Sequence, residues 1–143
     1  MSGAAADPVA GELIVAVGDN CVDISLNGAA GADRDALPEP VPASGLAPAE
    51  LPGGNAFNVA TVLAQGERHV AYLGAVGEDA AAAAVIAAGV SAGVDMSRVI
   101  RAAGPTGRTV VARNSQGERR FVSEDYGVAA AYRLDDETVT WLA

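Results

Sequence analysis

No lysine occurs among the 143 residues, so all 9 basic side chains are arginines, set against 18 acidic ones. That absence excludes the phosphate-binding P-loop, in which a lysine follows the final glycine. The formal net charge of -9 argues against nucleic acid or an anionic membrane surface as the main partner, since both are bound through clustered positive charge. Cysteine and histidine are scarce as well. Cys21 is the one thiol, which rules out a disulfide framework and a cysteine-cluster zinc site, and His69 is the one imidazole, which argues against a histidine-based metal site. A lone thiol suits a reducing cytoplasm. Long apolar runs are missing: the alanine-rich stretch Ala80–Ala92 comes nearest, and it falls short of the roughly 18 residues of a membrane span. Aromatic residues make up 4% of the chain, and although 50% is hydrophobic, 32 residues are alanines, so the core should be thin and aliphatic. Residues 1–11 carry neither the positive charge nor the apolar run of a targeting signal and read as a flexible tail. The length alone suggests one ordinary domain, and the acidic charge makes small molecules or other proteins the expected partners.

What is present reads as alternating strands and helices. Residues 13–17 form a short β-branched run, stopped by Gly18, of the kind buried on both faces in α/β sheets. The polar residues 18–23 follow, at the carboxyl end of that strand, where open α/β sheets bind ligands. From 27 to 50 the chain is rich in alanine, glycine and proline; Pro38, Pro40, Pro42 and Pro48 deny a regular element, so this is a long excursion that could cover a site. Gly53 and Gly54 lead into a helix marked by Val59, Val62 and Leu63 and closed by Gly66. Residues 69–73 read as a second buried strand, with His69 serving packing. Asp79 can cap the alanine helix, and Gly93 supplies its left-handed end. Residues 109–112 and 119–123 flank a turn at 115–118, which is a hairpin signal. A last short helix is capped by Asp135 or Asp136 and turns Val139 and Leu142 inward. This order describes an α/β protein with a small β appendage.

Several residues invite a chemical reading. Gly53, Gly54 and Asn55 ahead of a helix let a ligand approach backbone N–H groups closely, although the same glycines can simply make a turn. A dinucleotide fingerprint is excluded, because Gly18 runs into Asp19, Asn20 and Cys21 instead of further glycines. Asp23 is either a turn carboxylate or an acceptor for ligand hydroxyls. Cys21 has no partner nearby in sequence and reads as a small buried residue, not a nucleophile. Between Arg98 and Arg120 six arginines face one acid, Glu118, a local balance of +5. This is either a solvated ribbon whose charges discourage edge pairing or a dock for an anionic substrate group.

Taken together, Gly18-Asp19-Asn20-Cys21-Val22-Asp23, the run Gly53-Gly54-Asn55-Ala56-Phe57-Asn58-Val59-Ala60 and Gly77-Glu78-Asp79 resemble the amino-terminal half of the ribokinase-like, or PfkB-type, sugar kinases. They look most like the fructoselysine kinase branch. The resemblance covers about residues 12–143, including Gly93-Val94-Asp95, the hairpin and Gly127-Val128. It implies a ribokinase-like three-layer αβα core with a small β lid, incomplete in this chain. It implies that Asp23 hydrogen-bonds sugar hydroxyls and that Gly53, Gly54 and Asn58 contact the sugar, with Asn20 and Asn55 as adjacent candidates. The hairpin at 108–123, with the excursion at 27–50, corresponds to a lid that covers the sugar and can form a homodimer contact. For a full-length enzyme the resemblance implies ATP and Mg2+, neither of which is expected to bind this chain alone, and a ketose or fructosamine-type substrate. The family's catalytic aspartate lies in a Gly-Ala-Gly-Asp motif that does not occur here; Gly31-Ala32-Asp33 lacks the second glycine. The Asn-x-x-Glu segment that organises magnesium is missing too, as are the strands that hold ATP. The expectation is therefore the sugar-recognition half of a larger domain, inactive alone. A non-catalytic sugar-binding or dimerising regulatory module built on the same half-fold remains open beside it.

Overall fold

A computed structural model of the protein describes residues 12–27, 49–113 and 119–143. In chain order the elements are β1 (Ile14–Val17), β2 (Cys21–Asn27), β3 (Ala49–Gly53), α1 (Asn55–Gln65), β4 (Val70–Leu73), β5 (Ala75–Val76), α2 (Ala80–Ala92), β6 (Ile100–Arg101), β7 (Thr106–Arg113), β8 (Arg119–Gly127), a 3-10 turn at Val128–Ala131, and α3 (Asp136–Leu142). β1 and β4 pair in parallel, Ile14 opposite Val70, and β5 and β6 pair in parallel one residue past the end of β4. Every residue of β4 is buried, which its apolar run requires, because a strand with such a sequence has no face to offer water. α1 lies against β1 and β4 and buries Phe57 and Ala60, while α2 buries Ala81, Ala82, Val85 and Gly89. The core is thin, as the composition implies: its bulk comes from Phe57, Tyr72, Val76, Val85 and Met96, filled in by alanines. Phe57 and Tyr72 meet edge to face with centroids 5.6 Å apart, the geometry their ring quadrupoles favour.

The second sheet is the β appendage, in the order β3-β2-β7-β8. β2 runs antiparallel to β3 and parallel to β7, and β7 turns back on β8 with a bulge between Val110 and Val111. Besides Val22, which lies in the core cluster, a polar joint fastens this sheet to the core. Asp79 caps α2 by accepting the Ala82 N–H at 3.0 Å, and it also accepts the Thr106 hydroxyl at 2.7 Å and the Thr106 N–H at 3.1 Å, at the first residue of β7. The Thr106 hydroxyl oxygen accepts the Gly77 N–H at 2.9 Å. Burial pushes the Asp79 carboxyl up, but the bonds from Thr106 and Ala82 outweigh it and hold the group below the ordinary carboxylate value.

This mixed α/β architecture agrees with the fold class read from the sequence, as do the Asp79 cap, the left-handed Gly93 at φ 89°, and the Asp135 cap of α3. Four local expectations are corrected. The polar run 18–23 is not one loop at the end of β1: from Cys21 onward its backbone is taken up by partners on both sides, so Asp23 stands inside a strand. Residues 49–53, expected as the end of the excursion and the lead into the helix, form β3, where Pro52 is tolerated because the strand is at a sheet edge. His69 is exposed and precedes the strand; it contributes its carbonyl, which accepts the Ile14 N–H at 2.9 Å, and not packing. Val139 and Leu142 do not face inward but stand 51% and 41% exposed. α3 is instead fastened by buried Thr138 and by the Arg98 guanidinium lying 4.3 Å over the Trp141 ring. The tail at 1–11, residues 28–48 of the excursion expected at 27–50, and the hairpin turn at 115–118 lie outside the described residues. Among the described residues no helix is long and apolar enough to cross a membrane.

Candidate functional site

β1 and β2 are separated by Gly18, Asp19 and Asn20, and each of these residues is tied to an element far away in sequence. Tyr72 on β4 donates its hydroxyl to the Gly18 carbonyl at 2.8 Å. Asn20 is 0% exposed and donates its side-chain amide to the Tyr72 oxygen at 3.1 Å and the Ala75 carbonyl at 2.8 Å. Burial pushes the Tyr72 phenol well above its usual range, against the opposing bond from Asn20. Asp19 accepts the N–H of Asn55 at 3.0 Å and of Ala56 at 3.1 Å. The first turn of α1 is thus capped by a carboxylate placed 36 residues before it, while Gly54, at the N-cap position itself, offers no side chain.

These ties open a cleft of about 180 Å³ between the start of α1 and the β2-β7-β8 side of the second sheet. Asp19 and Asn20 stand at its base. Cys21 and Asp23 enter from β2, Gly54, Asn55 and Asn58 from α1, Thr109 from β7, and Phe121, Glu124, Asp125 and Tyr126 from β8. Strand register sets Asp23 opposite Thr109 and Thr109 opposite Glu124, a row across three strands. Along β2 the Cys21 thiol donates to Asp23 Oδ1 at 3.2 Å and accepts from the Thr109 hydroxyl at 3.6 Å. Burial pushes that thiol up to about 11; the Thr109 bond opposes this, and the carboxylates of Asp23 and Asp19 add to it. Cys21 is therefore a neutral donor that holds one oxygen of Asp23, not a nucleophile.

The glycine pair is shaped first by the protein's own packing. A Cβ on Gly53 would lie 2.5 Å from Asp23 Oδ2, so the carboxylate occupies the space where a side chain would be. Gly54 has φ +104°, and a Cβ there would lie 2.6 Å from the Asn20 Cα. Of the residues singled out in the sequence, Asn20, Asp23, Gly54, Asn55 and Asn58 line the cleft, and Gly53 stands behind Asp23. Asn55 and Asn58 are exposed, whereas Asn20 is locked into the core with only Oδ1 left without a partner.

Asp19, Cys21, Thr109 and the four β8 residues were not marked by the sequence as site residues. A hydrogen-bond pattern that spans 36 residues leaves no local trace. The β8 contributions from Glu124 to Tyr126 lie past the expected end of the hairpin at 123. Among the described residues no arginine lines the cleft. Among the described residues no group of three or more His, Cys, Asp or Glu could hold a metal ion. The cleft is built to accept hydrogen bonds: carboxylates accept only, and asparagine amides both donate and accept. That suits a ligand rich in hydroxyls.

A family model described as pfkB family carbohydrate kinase matches residues 12–143. Among solved structures, a fructokinase from Xylella fastidiosa is similar at TM-score 0.62 and 24% identity, covering 80% of this chain and 33% of its own. A ribokinase from Thermotoga maritima is similar at TM-score 0.69 and 24% identity, covering 91% and 40%. An Arabidopsis thaliana ribokinase, complexed with ribose and ATP, is similar at TM-score 0.64 and 25% identity, covering 90% and 41%. No curated protein matches the chain. The chain spans about a third to two fifths of the length of these structural neighbours.

Proposed function

The chain belongs to the pfkB family of carbohydrate kinases, and from that membership we propose that it is the sugar-recognition part of an enzyme that phosphorylates a sugar hydroxyl with ATP, on a ketose or fructosamine-type substrate of the fructoselysine kinase kind. The observation that carries this reading is the Asp23 carboxylate, seated over Gly53 with one oxygen held by Cys21 and facing the asparagines of α1 across the cleft. In this scheme Asp23 accepts sugar hydroxyls, Asn58 and Asn55 orient the polyol from the other wall, Gly54 keeps the wall low, and Gly53 leaves room for the Asp23 carboxylate. Holding the reacting hydroxyl in one orientation is the contribution of these residues to rate. The ribose and ATP of the Arabidopsis thaliana complex support ATP as co-substrate of the full-length enzyme. Magnesium would shield phosphate charge there; among the described residues no group of three or more His, Cys, Asp or Glu could hold it.

Lacking the Gly-Ala-Gly-Asp base, the 143-residue chain is expected to bind sugar without turning ATP over. Calorimetry with fructose and an ADP-release assay with a sugar panel test the two halves of this statement. Sugar-dependent ADP release would overturn the second, and the absence of binding to any sugar would overturn the first. The exposed outer strand β8 supports a homodimer formed through the lid, which sedimentation velocity would detect. The single thiol supports a cytoplasmic location.

A further inference from the structure

On the reading that Asp23 accepts sugar hydroxyls, we propose that Thr109 positions it. Acting through the Cys21 thiol, the Thr109 hydroxyl fixes the Asp23 carboxylate before a sugar arrives, and affinity thereby depends on strand β7. The Thr109 hydroxyl donates to Cys21 Sγ at 3.6 Å, and the thiol donates to Asp23 Oδ1 at 3.2 Å. The direction of this chain follows from its end. A carboxylate only accepts, so the one proton of the thiol goes to Asp23, and the sulfur is left as an acceptor for Thr109. Aligned in this way, each bond polarises the next. The other carboxylate oxygen is placed by shape: it sits in the notch of Gly53, where a Cβ would come within 2.5 Å of Oδ2.

Thr109 is itself firmly held. Strand register pairs it with Asp23 on one side and with Glu124 on the other, and β7 begins at Thr106, which Asp79 ties to the start of α2. The branched side chain of threonine has few χ1 positions, so the backbone of β7 decides where the hydroxyl points. A carboxylate held beforehand leaves a ligand less to order on binding. Removing the Thr109 hydroxyl frees the thiol to turn, and Asp23 regains orientations that a sugar must then suppress.

The test is a double-mutant cycle in fructose affinity, measured by calorimetry on the full 143-residue chain. Thr109→Val, which keeps the shape and suits a strand, should weaken fructose binding about threefold to fivefold, the worth of one modest hydrogen bond. Thr109→Ser should recover most of that loss. Cys21→Ala should weaken binding by a similar factor, and adding Thr109→Val to it should cause no further loss, because both act through one carboxylate. Thermal melts establish that the variants are folded. A readout free of sugar checks the first bond of the chain: donation from Thr109 favours the thiolate, so Thr109→Val should slow alkylation of Cys21 near pH 9. Full fructose affinity in Thr109→Val, an unchanged alkylation rate, or losses that multiply in the double variant, as direct contact of Thr109 with sugar would give, overturn the proposal and leave sugar recognition by Asp23 standing. If the wild-type chain binds no sugar, the recognition reading falls and this proposal with it.

Discussion

Gly53 and Gly54 differ in what their missing side chains make room for. At Gly53 it is the end of one side chain, the Asp23 carboxylate, which can swing away from an added methyl group. Gly53→Ala should therefore cost little stability while weakening fructose binding about tenfold or more, a split read by running thermal melts and calorimetry on the same variant. At Gly54 the obstacles are the backbone of Asn20 and Asp19 and a φ of +104°, neither of which yields. Gly54→Ala should destabilise the fold by about 1 to 3 kcal/mol, measured by urea denaturation. Cys21 gives a third expectation at this scale. With the thiol pushed up to about 11, alkylation at pH 8 should run about tenfold slower than for a free cysteine, or slower still, because the loss of thiolate exceeds the gain in its nucleophilicity. The rate should climb steeply between pH 9 and 11, and fast labelling at neutral pH would contradict the Cys21–Asp23 geometry.

The elements that could be read in advance are those governed by their immediate neighbours. Asp79 and Asp135 cap helices through N–H groups three residues away, and Gly93 ends α2 by its own backbone conformation. β2 and β3 depend on more than their neighbours in sequence. Val22, Ile24 and Leu26 do alternate with polar residues as a half-buried strand does, but β3 carries Pro52, and what places both in one sheet is the pairing of β2 with β3 and with β7, Val22 standing opposite Pro52 and Arg108, which no local rule contains. The same gap hid Asp19 and the Glu124 end of the cleft, whereas Asp23 and the glycine pair were legible from their own motif. Asp79 carries an additional consequence at this scale, since it joins α2 to the first residue of β7. Asp79→Ala should cost about 1 to 2 kcal/mol from the cap alone and should also weaken sugar binding by loosening the sheet that bears Asp23 and Thr109. Because its carboxyl is held below the ordinary value of 3.8, its contribution is complete above that pH and fades as pH falls through the lower folded value. Acid titration of the wild type and of Asp79→Asn should accordingly converge at low pH.

For the whole molecule, Val59, Val62, Val90, Val139 and Leu142 are exposed together with a chain that spans about a third to two fifths of its structural neighbours. Apolar surface of that kind favours association. Sedimentation velocity should show self-association that grows with concentration, and a hydrophobic dye should brighten in its presence. Ligand should counter any looseness: fructose at a hundred times its dissociation constant adds about 2.7 kcal/mol to stability and should raise the melting temperature, whereas a sugar alcohol that fails to bind should not. The carboxylate that Asp19 brings to the first turn of α1 has a meaning at this scale as well. The amino end of a helix, with its free N–H groups and positive dipole end, is a natural resting place for a phosphate. In this protein that place is already filled from within, so a phosphate brought to the first turn of α1 would have to displace Asp19.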